Sequence, residues 1–321
     1  MAKAIVAAAP GGPEVLQLQD VEVPQPGPGE LLVKVAAAGV NFIDTYERSG
    51  VYNVGFPYTP GAEAAGTVEA VGDGVEEFTA GDRVAFAEGA GTYAEYTVVS
   101  AEAALPVPDG VDNDVAAAIP LQGMTAHYLI NSSFKVQPGQ TVLTHAGAGG
   151  VGLILTQLLK AKGARVITTV STDEKEGLAR SAGADEVLRY DGFDRQVREL
   201  TGGTGVDVVY DGVGKDTFDA SLASLRTRGM LVLFGGASGQ VPPFDLQRLN
   251  QGGSLFVTRP KLKDHLLSPQ ERRWRSSELF DAVVSGQLTP RVGRKYPLAE
   301  AAQAHDDLQG RRTTGKLLLV P

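Results

Sequence analysis

Residues 144–152 read Thr-His-Ala-Gly-Ala-Gly-Gly-Val-Gly, between an apolar run at 141–144 and a helix-like stretch from Val151 to Lys162. The glycines at 147, 149 and 152 have the G-x-G-x-x-G spacing of a dinucleotide cradle, and a second apolar strand, Arg165–Val170, follows the helix. With 40 glycines in the chain such a spacing can arise by accident, so the strand–turn–helix–strand context carries the reading. Each glycine answers a need: Gly147 a tight turn, Gly149 close backbone approach to a pyrophosphate, Gly152 packing of helix on strand. Gly150 and Val151 open the helix, whose N-terminal N–H groups face the phosphates.

The end of the second strand reports which dinucleotide. An NAD site carries an acidic residue there for the ribose 2′-hydroxyl, but this chain has Ser171 and Thr172, with Lys175 one turn on. Asp173 belongs to the start of the next helix. Hydroxyls plus an ammonium suit a 2′-phosphate, hence NADPH. A charge-assisted hydrogen bond of about 1.5–3 kcal/mol gives roughly one to two decades of preference over NADH. The alternative reading, Ser171 as a helix cap and Lys175 as a solvated charge, is compatible with it.

The 321 residues, 43% hydrophobic and 21% charged, fit about two globular domains. A net charge of −9 disfavours binding of nucleic acid or an anionic membrane through bulk charge. The absence of cysteine removes disulfides, thiolate zinc sites and cysteine nucleophiles together. The N-terminal Met-Ala-Lys-Ala-Ile-Val reads as a short strand rather than a signal peptide, and no run of about 18 apolar residues spans a membrane. The expectation is a cytoplasmic enzyme acting on small molecules.

The first 110 or so residues are short β-rich segments between Gly and Pro turns, with candidate strands at 4–8, 31–37, 64–71, 82–86 and 93–99. Short helices at 112–118 and 124–132 follow. Strands at 141–145, 165–170, 186–190, 206–211 and 229–234 then alternate with helices at 151–162, 173–182, 192–201 and 216–225, with a sixth strand at 254–258. That alternation means a parallel sheet covered on both faces. The tail reads helix 270–285, strand 292–296, helix 298–308 and strand 315–320, returning to the β-rich part. The cluster Glu271-Arg-Arg-Trp-Arg275 reads as a solvated helix face.

Six stretches carry a family resemblance: Gly39-Val-Asn-Phe-Ile-Asp-Thr-Tyr-Glu-Arg-Ser-Gly50, Gly61-Ala-Glu-Ala-Ala-Gly66, Val71-Gly-Asp-Gly-Val75, Gly81-Asp-Arg-Val84, the glycine loop at 146–152 and Tyr210-Asp-Gly-Val-Gly214. In this order and spacing the chain resembles zeta-crystallin-type quinone oxidoreductases of the medium-chain dehydrogenase/reductase superfamily. The resemblance covers essentially the whole length. It implies an α/β fold: a doubly wound parallel Rossmann sheet, residues 123–261, inserted in a GroES-like β-rich domain of residues 1–122 plus 262–321, with NADPH in a cleft. The superfamily's zinc alcohol dehydrogenases use a Cys early in the chain and a Gly-His-Glu histidine. Here Asn41 or a neighbour takes the first position and Ala62 the second. Without that Lewis acid, alcohol oxidation is implausible, and an acceptor that takes hydride directly fits better.

The resemblance places Asn41, Asp44 and Tyr46 near the nicotinamide as catalytic candidates, with Tyr52 on the following loop and Thr125 opposite. Asn41 and Tyr46 are cofactor contacts as well. The tyrosines offer an aromatic face and a hydroxyl to a flat acceptor; ordinary loop packing is the competing account. It further implies Gly150 and Val151 at the pyrophosphate, Tyr190 beside the adenosine phosphate, Phe234 and Gly235 at the nicotinamide end, and Thr258, Arg259 and Lys316 as additional cofactor contacts. Arg259 and Lys316 read equally as surface charges. His127, His145, His265 and His305 have no ligand spacing, and His145, at the end of the first Rossmann strand, reads as structural, with a cofactor contact as the alternative.

The leading expectation is a metal-independent NADPH:quinone oxidoreductase acting on a small quinone. An NADPH-dependent enone or alkenal reductase is the alternative within enzymes. A weakly catalytic NADPH-binding sensor or RNA-binding protein is the alternative from another class, against which the acidic balance counts. A homodimer through the Rossmann edge at Leu255-Phe-Val257 is expected from the resemblance.

Overall fold

The computed structural model describes residues 1–321. The chain divides into two compact units, one of residues 1–122, 268–286 and 290–321, the other of residues 123–267 and 287–289. Residues 262–267 therefore lie with the second unit.

In the first unit β1 (Ala2–Ala7) pairs antiparallel with β2 (Leu16–Val21). The long β3 (Glu30–Val40) runs into α1 (Phe42–Arg48), followed by β4 (Glu63–Val71), β5 (Arg83–Phe86), β6 (Tyr96–Ser100), β7 (Leu105–Pro106) and α2 (Asn113–Ala118). Next, α3 (Pro120–Tyr128) leads into the second unit, where β8 (Thr141–Thr144), α4 (Gly150–Ala161), β9 (Arg165–Thr169), α5 (Asp173–Ser181) and β10 (Glu186–Leu188) succeed one another. They are followed by α6 (Phe193–Leu200), β11 (Val206–Asp211), α7 (Phe218–Ser224), β12 (Leu225–Leu233), α8 (Gln247–Gln251) and β13 (Phe256–Thr258). The tail adds α9 (Pro269–Val284), β14 (Val292–Pro297), α10 (Ala301–Gln309) and β15 (Lys316–Val320) to the first unit.

The first unit's main sheet runs β14-β15-β3-β4-β5-β7, with β6 also on β3. Its core takes alternate residues of β3, Leu31, Val33 and Val35, with Val68, Phe86, Tyr296, Leu317 and Leu319, as the two-residue period of a strand requires. The second unit's sheet runs β10-β9-β8-β11-β12-β13, every pairing parallel. In order of appearance this is 3-2-1-4-5-6, which reverses between β8 and β11. Ligands of such sheets bind at the strands' carboxyl ends beside that reversal.

Besides the unexpected short elements β7 and α8, three local features differ from the sequence reading. Residues 42–48 are helical, where a loop is expected: Asn41 is the N-cap, and Asp44 Oδ2 accepts the Asn41 backbone N–H at 2.8 Å, one arm of a capping box. Seven residues between β segments are too few for a helical period to register. β2 escapes notice because only Leu16 of it is buried. Arg275 is not solvated; it is 0% exposed, ion-paired to Glu271, with its guanidinium 4.7 Å from the Trp274 ring centroid.

Candidate active site

The turn after β8 is built as a cradle. Its left-handed residue is Ala146 (φ 54°), so the sharp bend falls one residue before the glycine assigned to it. Gly147 serves instead by omission, since a Cβ there would lie 2.3 Å from Thr168 Oγ1 of β9. At Gly152 a Cβ would meet the Ala146 carbonyl oxygen at 2.3 Å and Gly147 Cα at 2.9 Å, which is why helix and strand can pack this closely. A Cβ on Gly149, the N-cap of α4, would touch only Ala146 within 4 Å. Its outer face is therefore open for a ligand to approach the backbone. The N–H groups of Gly150 and Val151 lie in the first helical turn, where no i−4 carbonyl exists to receive them. Glycines spaced this way, with N–H groups beyond them, fit a pyrophosphate.

At the end of β9, Ser171 and Thr172 are exposed, and Thr172 rather than Ser171 caps α5, accepting the Lys175 N–H at 3.3 Å. Lys175 Nζ donates to Ser171 Oγ at 3.4 Å, so ammonium and hydroxyl point to one place. Asp173 is engaged by Arg189 at 2.5 Å, and Arg189 also reaches Glu176 at 2.9 Å. The nearest acid is thus neutralised by a cation the sequence reading did not single out. The donor set fits a 2′-phosphate better than a bare ribose diol.

Tyr190 closes the cradle's other side, its hydroxyl receiving the Ala146 N–H at 3.2 Å. His145 is internal: Nδ1 lies 2.8 Å from Thr169 Oγ1 and Nε2 2.8 Å from Ser221 Oγ. Ser221 donates in turn to Asp211 Oδ2 at 3.0 Å. Burial lowers the imidazole pKa, opposed by the nearby Asp211 charge. Asp211 also accepts the N–H groups of Val213 and Gly214 and the Thr217 hydroxyl, which folds the Asp-Gly-Val-Gly turn at the end of β11. Phe234 and Gly235 begin the turn after β12, and their N–H groups point at the Asp211 carbonyl, at 2.9 and 3.4 Å. Thr125 is buried on α3, Thr258 ends β13, and Arg259 is exposed.

The first unit holds a second polar constellation, written by sheet register. β15 pairs antiparallel with β3, Leu317 facing Val40, so the next step outward sets Lys316 against Asn41. β4 pairs with β3 so that Glu63 faces Gly39. Gly39 leaves the needed space; a Cβ there would lie 2.2 Å from Glu63 Oε2 and 2.7 Å from Lys316 Cε. The Lys316 ammonium is ion-paired to Glu63 Oε2, the two side chains being 2% and 0% exposed, and donates to Asn41 Oδ1 at 2.8 Å. Asn41 Nδ2 donates to the same Glu63 oxygen at 2.8 Å, while Glu63 Oε1 accepts the Leu121 N–H at 2.7 Å. An ammonium only donates and a carboxylate only accepts, so the Asn41 amide is held in one orientation. Lys316, expected as a cofactor contact, thus has its charge engaged inside the unit.

Along α1, Tyr46 faces Tyr52 edge-on, ring centroids 5.5 Å apart at 70°, with Phe42 at 6.3 Å from Tyr46. Tyr52 is 39% exposed and Tyr46 partly buried. Asp44, by contrast, is fully buried and bonded to Tyr93, which in turn meets His305. Glu63, Tyr93, His305 and Asp211 received no site role from the sequence. Glu63 and Asp211 lie in the Gly-Ala-Glu and Tyr-Asp-Gly-Val-Gly stretches that carry the family resemblance, whereas Tyr93 and His305 have no local signature. No cluster of three or more His, Cys, Asp or Glu side chains is arranged to hold a metal ion, and no helix is long and apolar enough to cross a membrane.

Comparison with known proteins agrees with this architecture. Residues 27–109 match the alcohol dehydrogenase GroES-like domain, and residues 150–267 match the zinc-binding dehydrogenase family. A quinone oxidoreductase of Pseudomonas aeruginosa is 47% identical, with 100% of both chains covered. Among solved structures, a mycobacterial protein complexed with NADPH is 55% identical with a TM-score of 0.98, and the Escherichia coli quinone oxidoreductase complexed with NADPH is 42% identical with a TM-score of 0.98. Each comparison covers 100% of both chains. The chain belongs to the quinone oxidoreductase family of the medium-chain dehydrogenase/reductase superfamily.

Proposed function

We propose that this protein is an NADPH:quinone oxidoreductase that passes reducing equivalents to a small quinone. The observation that carries the reading is the open glycine turn ending at a Ser171–Lys175 pair, in a chain similar over its whole length to quinone oxidoreductases. NADPH supplies the hydride. Gly149, Gly150 and Val151 bind its pyrophosphate through backbone N–H groups, with Gly147 and Gly152 shaping the turn, and Ser171, Thr172 and Lys175 hold the 2′-phosphate. Tyr190 covers the adenosine side; Phe234, Gly235, Thr125, Thr258 and Arg259 flank the nicotinamide half.

Asn41 presents a fixed amide edge, and Tyr46 with Tyr52 presents an aromatic face and hydroxyls to a flat acceptor. These groups supply proximity and orientation. Quinone reduction to hydroquinone consumes one hydride and one proton, and no alkoxide has to be stabilised on the way. Lys316 is assigned a positioning role through Asn41 in place of direct cofactor contact.

The test follows NADPH and NADH oxidation by EDTA-treated protein with 1,2- and 1,4-quinones and simple enones. Rapid quinone-dependent turnover with an NADPH preference supports the reading; turnover confined to enones replaces it with alkenal reduction. We further propose a cytoplasmic homodimer joined through β13, which lies at the sheet edge with Phe256 55% exposed. Light scattering of Phe256→Lys tests this, a monomer being the expected result.

A further inference from the structure

A buried chain of side chains runs from α10 to α1, and the functions assigned above do not use it. Arg48 Nη1 lies 3.1 Å from His305 Nδ1, His305 Nε2 lies 3.0 Å from Tyr93 Oη, and Tyr93 Oη donates to Asp44 Oδ2 at 2.8 Å. A guanidinium only donates, so His305 Nδ1 accepts. The neutral imidazole then carries its proton on Nε2 and gives that hydrogen bond to Tyr93, leaving the phenol proton for Asp44. A protonated His305 would set one N–H against another, from Arg48. Every link therefore points toward Asp44.

At the end of this chain, Asp44 is 0% exposed. Its Oδ2 takes the Tyr93 hydroxyl and the Asn41 N–H, both at 2.8 Å, while Oδ1 is buried with no hydrogen-bond partner. No cation bonds to it. Arg48 is committed to His305, the Gly11 carbonyl and Gln309, and the Lys316 ammonium to Glu63 and Asn41. The other titratable groups around it are Glu47 on its own helix, Tyr58 and Tyr93 from the intervening loops, Glu63 on β4 and His305 on α10. A carboxylate in this place would be a buried anion with a bare oxygen, whereas a carboxylic acid leaves only a neutral group unbonded.

We propose that Asp44 is a carboxylic acid when α1 is correctly seated, and that Arg48, His305 and Tyr93 are positioning residues forming a one-way strut. Through Asp44 that strut fixes the start of α1, and so the placement of Asn41 and Tyr46. Ionisation of Asp44 leaves a buried anion whose Oδ1 has no donor, and relief of that charge, by rearrangement or by entry of water, displaces that end of the helix. Burial pushes the Asp44 carboxyl up to about 7, against the opposing hydrogen bonds from Asn41 and Tyr93. Burial, with Arg48 beside it, holds His305 down at about 3. The acid therefore titrates at the edge of the physiological range while its imidazole neighbour stays neutral. The part of the proposal that concerns Asn41 and Tyr46 rests on the quinone reductase reading; the protonation state does not.

The first measurement is infrared difference spectroscopy of the full chain carrying carboxyl-labelled aspartate. A protonated-carboxyl band that is present at about pH 6, lost with a midpoint near 7 and absent in Asp44→Asn is the expected result. No such band at any pH overturns the proposal. The second is the pH profile of kcat/KM with NADPH and a quinone. In the wild type it should fall above the Asp44 midpoint by nearly tenfold per pH unit. In Asp44→Asn, whose amide mimics the acid and cannot ionise, the ratio of kcat/KM between about pH 8.5 and about pH 6 should lie near one. An unchanged falling limb in Asp44→Asn overturns the positioning role. Absence of quinone turnover with the infrared band in place would sink the quinone reading and leave the acid standing.

Discussion

Replacing Lys316 by methionine tests the reasoning about the first unit's polar centre. The substitution keeps most of the side chain's volume and removes the cation paired with Glu63, in a pair whose side chains are 2% and 0% exposed. Glu63 keeps two hydrogen bonds, from Asn41 Nδ2 at 2.8 Å and the Leu121 N–H at 2.7 Å, but loses its countercharge. Leaving a buried charge without its partner costs about 3–5 kcal/mol. At roughly 2–4 °C per kcal/mol for a unit of this size, the melting temperature should drop by about 6–20 °C. Glu63→Gln alone strands the ammonium and should cost a similar amount. The double variant, with neither charge, should lose less than either single one, because exchanging a buried pair for neutral groups is close to energetically neutral. Calorimetric melting of the four proteins closes the cycle. A Lys316→Met protein within about 1 kcal/mol of wild type, or a double variant carrying the sum of both losses, would refute the account. With the ammonium gone, Asn41 Oδ1 keeps only Gln122 Nε2 at 3.4 Å, so weaker NADPH binding should accompany the loss in stability.

Further outcomes follow from the cradle and from the strut. Lys175→Ala should cut the NADPH over NADH preference by about 10–100-fold, the loss of one charge-assisted hydrogen bond, read as the ratio of kcat/KM for the two cofactors. Gly149→Ala should fold normally and bind NADPH weakly, since the added Cβ meets only Ala146, whereas Gly152→Ala should disturb the turn itself because its Cβ would sit 2.3 Å from a backbone oxygen; dye-monitored melting with and without NADPH separates the two. Asp44, raised from 3.8 to about 7, contributes stability that is full below 3.8 and lost as pH rises through 7. His305, lowered from 6.5 to about 3, contributes stability present above 6.5 and lost as pH falls toward 3. Between about pH 4 and 6.5 the two slopes, each about 1.4 kcal/mol per pH unit, oppose one another. Urea melts should therefore show little pH dependence from this pair in that window, while Asp44→Asn should uncover a loss of stability on acidification; a variant as flat as wild type would show that His305 is not held neutral.

What a short stretch of chain can state about itself was legible in the sequence. The apolar segments at 141–144, 165–169 and 206–211, each followed by a helix, required a parallel sheet, because a strand that needs cover on both faces cannot alternate polar and apolar residues. The glycine turn was equally local, its members within six positions of one another, although the division of labour among them was not: Ala146 takes the left-handed bend and Gly147 makes room for Thr168, a neighbour supplied by the next strand. The Ser171–Lys175 pair lies within one helical turn and could be read the same way. The polar centre of the first unit could not. Lys316 and Asn41 are 275 positions apart, and Tyr93 and His305 are 212 apart. They meet because β15 enters the sheet beside β3 in one register and α10 packs beneath it. A strand's sequence records which of its residues must be buried, but not which strand it will pair with or at what offset; that choice belongs to the packed sheet, and with it the identities of the groups that hold Asn41 and Asp44.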